Sequence, residues 1–190
     1  MSSTSTTWSS EGNTKAGASV SSISGYTNYL YAYFGIGSGD SSSFSVNTHQ
    51  AILFNGTTQT ASLGDNFPLG TSTDPATSLT TADATGQKAA EITPFLWYVP
   101  DDITIDAVYA LEGADDASGD TTRMHLMSYT FTSGSTSALT SGAVLASNSD
   151  VTNAGNEQIY KSTFTINSAD VTAGKVIVAT FRSDSVNSDY

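Results

Sequence analysis

The sequence predicts an all-β protein: an antiparallel β-sandwich or jelly roll, with a smaller N-terminal β region and an extended N-terminal arm. Three observations carry this. Ser and Thr make up about 30% of the 190 residues, and short side chains that bond their own backbone favour turns and strands over helices. Apolar and polar residues alternate with period two through much of the second half, the spacing of a half-buried strand. Turn signals, with Asn55-Gly56 and Pro100-Asp101-Asp102 among them, recur at short intervals.

Residues 1–25 are almost wholly Ser, Thr, Gly and Ala, with Trp8, Val20 and Ile23 as the large apolar exceptions. Such a segment buries too little apolar area to fold alone. It reads as an arm held by a neighbouring chain, with Trp8 as its anchor because an indole supplies a large buried area.

Residues 26–63 read as the N-terminal β region. Tyr29, Tyr31 and Tyr33 would share one strand face while Leu30, Ala32, Phe34 and Ile36 share the other, and two heavy faces suit a strand covered on both sides. The run stops in the loop Gly35 to Asp40, and a second strand spans Phe44 to Phe54. Asn55-Gly56 then separates Ala51-Ile52-Leu53-Phe54 from Thr57-Thr58-Gln59-Thr60, a type I′ hairpin signal. Residues 64–90 lose all periodicity and read as a linker or long loop, with one helical turn near Thr81 to Ala84.

Residues 91–190 are predicted to form the sandwich. Ile92, Pro94, Leu96 and Tyr98 alternate with Thr93, Phe95, Trp97 and Val99. Ile103 to Glu112 continues as one half-buried strand, and Gly113 to Asp120 is a polar tip. Arg123 to Thr132, Ala143 to Ala146, Ile159 to Ile166 and Lys175 to Ser183 supply further strands. Between the last two, Ser168 reads as the N-cap of a short turn and Gly174 as its stop. The closing segment ends where a hairpin turn would feed another strand, so a terminal strand is expected to be missing or supplied by a neighbour.

Six Lys and Arg against 18 Asp and Glu give a net charge of −12. That balance repels phosphate backbones and anionic lipid, so neither nucleic acid nor membrane is an expected partner. The chain has no cysteine, which removes disulfides, thiolate metal sites and a Cys nucleophile. The first residues lack the basic and apolar regions of a secretory leader, and no stretch approaches membrane-spanning length.

Candidate chemistry is sparse. His49 and His125 are the two imidazoles, and a Ser-His-Asp arrangement needs a Ser on a constrained elbow beside an oriented His. Gly39-Asp40-Ser41 lacks a following Asp-x-x-His, and His125 reads as a strand-face or interface residue. Gly35, Gly37 and Gly39 lack the P-loop Lys. Asp101, Asp102 and Asp106, with Asp115, Asp116 and Asp120, have hard-cation character without calcium-loop spacing, so a solvated tip is the reading. No catalytic, cofactor or metal residue is expected, and the chain is expected not to be an enzyme. Trp97, apolar on both sides, reads as core or subunit interface, and Tyr29, Tyr31 and Tyr33 as interface.

The runs Ile166-Asn167-Ser168-Ala169-Asp170-Val171-Thr172-Ala173-Gly174-Lys175-Val176-Ile177-Val178 with Phe181-Arg182-Ser183, and Phe95-Leu96-Trp97-Tyr98-Val99-Pro100 with Ile103-Thr104-Ile105, resemble β-sandwich domains in structural proteins of tailed bacteriophages, particularly marine phages. The resemblance covers about the C-terminal hundred residues. It implies a virion protein, a capsid decoration (cement), head-fibre or tail-fibre subunit, made in the host cytoplasm without a signal peptide. It further implies a homo-trimer bound to other virion proteins. A carbohydrate-binding or host-adhesion module, with a host glycan as partner, is the second expectation.

Overall fold

The computed structural model describes residues 29–35, 46–54, 68–80, 92–114, 119–155 and 158–185. The arm with Trp8, the Asn55-Gly56 hairpin and the helical turn near Thr81 lie outside them. The chain divides into two units, residues 1–32 and 33–190. Of the first, residues 29–32 are described, as chain outside any strand with Tyr29 and Tyr31 exposed.

Among the described residues of the second unit, twelve strands follow one another. They are β1 (Phe34–Gly35), β2 (Gln50–Phe54), β3 (Trp97–Tyr98), β4 (Ile103–Thr104), β5 (Tyr109–Ala114), β6 (Thr121–Phe131), β7 (Leu139–Ser147), β8 (Val151–Thr152), β9 (Gln158–Thr163), β10 (Thr165–Ile166), β11 (Asp170–Val171) and β12 (Lys175–Ser183). The principal sheet is antiparallel, in the order β1-β2-β12-β6-β7-β10, with β3 also on β12 and β8 on β6. β4 pairs with β11, and β5 with β9, as two separate ribbons. The fold is all-β and sandwich-like, as predicted.

β12 is central because its sequence can be buried on both faces. Val176, Ile177 and Val178 are each at most 2% exposed, and continuous β-branched runs are what a doubly covered strand needs. One edge of β12 pairs with β6 from Lys175↔Thr130 to Ser183↔Thr122. The other edge takes β3 near its start and β2 further on.

Alternation then divides the core in two. On the first face Val176, Val178, Met127, Tyr129, Ala51 and Leu53 pack with Leu69, Leu79, Leu139, Ile92 and Phe95. On the second, Ile177 and Leu126 pack with Val99, Leu145, Ala146, Phe164 and Val171. Leu145 and Ala146 are neighbours in sequence yet share this cluster, because the β6–β7 register shifts between Leu126 and Met127. A bulge of this kind lets adjacent side chains point the same way.

Several expected elements differ. Residues 26–63 are not a separate β region in their described part: β2 is hydrogen-bonded to β12 in the same sheet as the C-terminal strands. The supposed linker 64–90 contains a strap, residues 68–80, that lies on the first face. His49 N donates to Gly70 O at 2.9 Å, Leu69 N to His49 O at 2.7 Å and Leu79 N to Leu139 O at 2.9 Å. Leu69 and Leu79 supply the apolar anchors that the polar composition around them obscures.

The covered strand predicted over residues 29–34 shrinks to Phe34–Gly35, with Tyr33 66% exposed. The alternation at 92–99 yields a 3-10 turn at Thr93–Phe95 before β3, since Pro94 has no amide hydrogen to give a ladder. The strand expected from Ile103 to Glu112 breaks at residues 105–108. The Ser168 cap is replaced by β11, while Gly174, at φ +85°, does make the turn into β12.

Candidate functional site

Polar residues of the first face gather at one end. There β6 contributes Arg123 and His125, β12 contributes Thr180 and Arg182, and the chain entering β2 contributes Asn47 and His49. Pairing puts His125 opposite Thr180, and Arg123 opposite Arg182. His49 and His125 meet edge to face with ring centroids 4.9 Å apart.

The strap closes over this pair. His49 Nε2 lies 3.0 Å from Ser72 O. His125 Nε2 lies 3.4 Å from a carboxylate oxygen of Asp74 without hydrogen-bond geometry, an approach that becomes an ion pair only on protonation of the ring. Both imidazoles are essentially without solvent exposure. Burial lowers the His49 pKa below its ordinary value. Burial, with His49 and Arg123 close by, lowers that of His125 to about 4. Both rings are therefore neutral at pH 7. Among the described residues His49 Nδ1, both ring nitrogens of His125, Thr180 Oγ1 and Arg123 Nε are buried without a hydrogen-bond partner. Such groups normally find partners, and their concentration at one end of one face singles this end out.

Beyond the histidines the polar end opens into a cavity of about 230 Å³ lined by Asn47, Thr121, Arg123, Asp150, Arg182 and Asp184. Arg182 donates from Nε to Asn47 O at 3.2 Å and from Nη2 to Asn47 Oδ1 at 2.8 Å. Arg123 Nη1 lies 3.3 Å from Asp150 Oδ1. Thr121 N donates to Asp184 Oδ1 at 2.7 Å. Asn47, which presents both acceptors to Arg182, holds φ +56°, a left-handed conformation that Asn tolerates better than most residues.

The second notable surface is the outer face of the β5–β9 ribbon. Tyr109, Leu111, Ile159 and Lys161 alternate out of the two strands, where Leu111 faces Lys161 and Tyr109 faces Thr163. Tyr109 is 60%, Leu111 75% and Ile159 78% exposed. The Lys161 ammonium sits 4.8 Å from the centre of the Tyr109 ring, a cation–π contact.

The residues singled out from sequence fall in different places. Tyr29, Tyr31 and Tyr33 are exposed. Trp97 is half-buried against the second core and stacks parallel to Phe54 at 5.9 Å, with Phe54 in turn 5.2 Å from Phe34. Asp102 accepts a hydrogen bond from Ala173 N at 2.8 Å, so it serves a turn. Among the described residues no group of three His, Asp or Glu side chains is arranged to hold a metal ion. Sequence reasoning missed the paired arginines and the exposed ribbon. The scarcity of Lys and Arg could have drawn attention to an Arg on each of two long core strands, whereas the ribbon's outward apolar face looks in sequence like any half-buried strand. Compared with protein-family models, curated proteins and solved structures, the chain finds no match.

Proposed function

We propose that this chain is a non-enzymatic structural subunit, one that works by docking a β-sandwich onto copies of itself and onto neighbouring proteins. The observation that carries the reading is the ribbon face. Tyr109, Leu111 and Ile159 lie side by side in solvent on a two-stranded ribbon that pairs with no other described strand. Contiguous exposed apolar area costs solubility unless something covers it, and aromatic residues are enriched where proteins meet. Unpaired ribbon edges add a row of backbone donors and acceptors. Tyr33, outside the ribbon, adds a further exposed aromatic.

The resemblance of the runs around Phe95–Ile105 and Ile166–Ser183 to phage structural domains supports a virion as the setting, with a decoration or fibre subunit as the role and a homo-trimer as the expected state. Light scattering on the full chain tests this. The native protein is expected to run as a discrete homo-oligomer. The double variant Leu111→Ser/Ile159→Ser is expected to run as a monomer with unchanged circular dichroism. A native protein that is monomeric throughout the micromolar range overturns the proposal.

A further inference from the structure

We infer that the cavity at the polar end of the principal sheet is a binding site for a carboxylated sugar, a ligand class that the assembly role neither requires nor supplies. Arg123 and Arg182 are direct partners across the β6–β12 ladder, so two guanidinium groups start from adjacent positions on one face. Like charges placed directly opposite in a sheet are destabilising. The chain has six Lys and Arg in all, and two of them occupy this one rung.

Their internal partners do not exhaust them. Arg182 is committed to Asn47 through two hydrogen bonds. Among the described residues Arg123 has a single ion pair, at 3.3 Å, to an Asp150 side chain that is 57% exposed. Its Nε is buried without a partner among the described residues. A guanidinium carries five donors in a planar fork matched to a carboxylate; with Nε buried, the Nη groups of the 27% exposed side chain are what Arg123 offers, and Asp150 is free to rotate into solvent when a second carboxylate arrives.

The remaining lining selects what accompanies that carboxylate. Asp184, the Thr121 hydroxyl and Asn47 are acceptors suited to hydroxyl donors. Asp150 and Asp184, with a net charge of −12, repel a polyanion. At about 230 Å³ the cavity falls below the roughly 300–1,000 Å³ of pockets for drug-sized ligands, which suits one small ring. One acid group on a ring of hydroxyls meets all of these conditions.

Calorimetric titration of the full chain with glucuronate, and separately with glucose and acetate, tests the inference. Saturable glucuronate binding at least about tenfold tighter than either control is expected, because a charge-assisted bidentate contact and the hydroxyl contacts must both contribute. Arg123→Gln is expected to lose about tenfold or more. Asp150→Asn, which removes the competing carboxylate, is expected to bind glucuronate severalfold more tightly, an effect that a purely structural ion pair does not produce. Absence of saturable binding, equal binding of acetate or glucose, or an Arg123→Gln protein that binds like the native one overturns the site. Should Arg123→Gln fail to fold, Asp150→Asn decides alone, and unchanged or weaker binding there overturns it.

Discussion

Glu112 shows how much one side chain can decide. It is 6% exposed on β5, and an isolated buried carboxylate is costly unless its oxygens are met. Thr122 Oγ1 donates to Oε2 at 2.8 Å and Asn148 Nδ2 to Oε1 at 3.2 Å. Asn148 also accepts from Met124 N at 2.7 Å and lies 3.3 Å from Ser162 Oγ. The network thus ties the β5–β9 ribbon to β6. Glu112→Ala leaves the Thr122 hydroxyl with only its long, 3.5 Å bond to Val151 O and part of the Asn148 amide without a partner, and is expected to cost roughly 2–4 kcal/mol, read as a lower urea midpoint with unchanged slope. In the sequence Glu112 is simply the polar end of an alternating strand. Its burial follows from Asn148, 36 residues away, arriving beside it.

At the scale of elements, the strap 68–80 is held by what the sheet leaves open for it. Tyr129 Oη donates to Ala76 O at 2.8 Å and Gly142 N to Thr77 O at 2.7 Å. Burial pushes the Tyr129 pKa well above its usual value, so the phenol stays a donor. Gly142 sits in the irregular stretch of β7 where the register with β6 shifts between Ser128 and Thr130. A Cβ there would stand 2.6 Å from the Tyr129 ring and 2.8 Å from Thr77 Cα. Gly142→Ala therefore forces the strap off its seat. It is expected to destabilise by about 1–3 kcal/mol and to speed amide exchange at Leu79 and Gly142 ahead of the β6–β12 ladder, measurable by hydrogen exchange. Sequence periodicity sees no element between residues 68 and 80, because a strap anchored by two leucines and a few backbone bonds has no period.

For the molecule as a whole, the buried histidine pair makes stability depend on pH. The unfolded chain takes up a proton at His125 near 6.5, and the folded chain only near 4. Stability is therefore full above about pH 6.5, falls as pH drops, and has lost His125's whole contribution below about pH 4. The gap corresponds to roughly 3 kcal/mol. His49, lowered for the same reason of burial, acts in the same direction. Melting temperatures measured between pH 7 and pH 4 are expected to fall, and His125→Leu is expected to flatten that slope. An equal slope in the variant would assign the acid loss to other groups. Opening under acid should begin at the strap, since Ser72 and Asp74 are what cover the two rings.

The sequence by itself determined the class of fold, because period-two patterning, β-branched runs such as Val176-Ile177-Val178 and the abundance of Ser and Thr are local properties that each segment expresses alone. It located β6 and β12 almost to the residue, since long doubly buried strands leave the strongest pattern. What only the tertiary structure decided is partnership. That β2 lies beside β12, that a patternless strap carries core leucines, that Arg123 faces Arg182 and that His49 meets His125 all depend on register between segments far apart in sequence, about 20 residues for Leu69 on His49 and more for the others. Register is set by the summed burial of both faces and the hydrogen bonds between them, a quantity that no single segment contains.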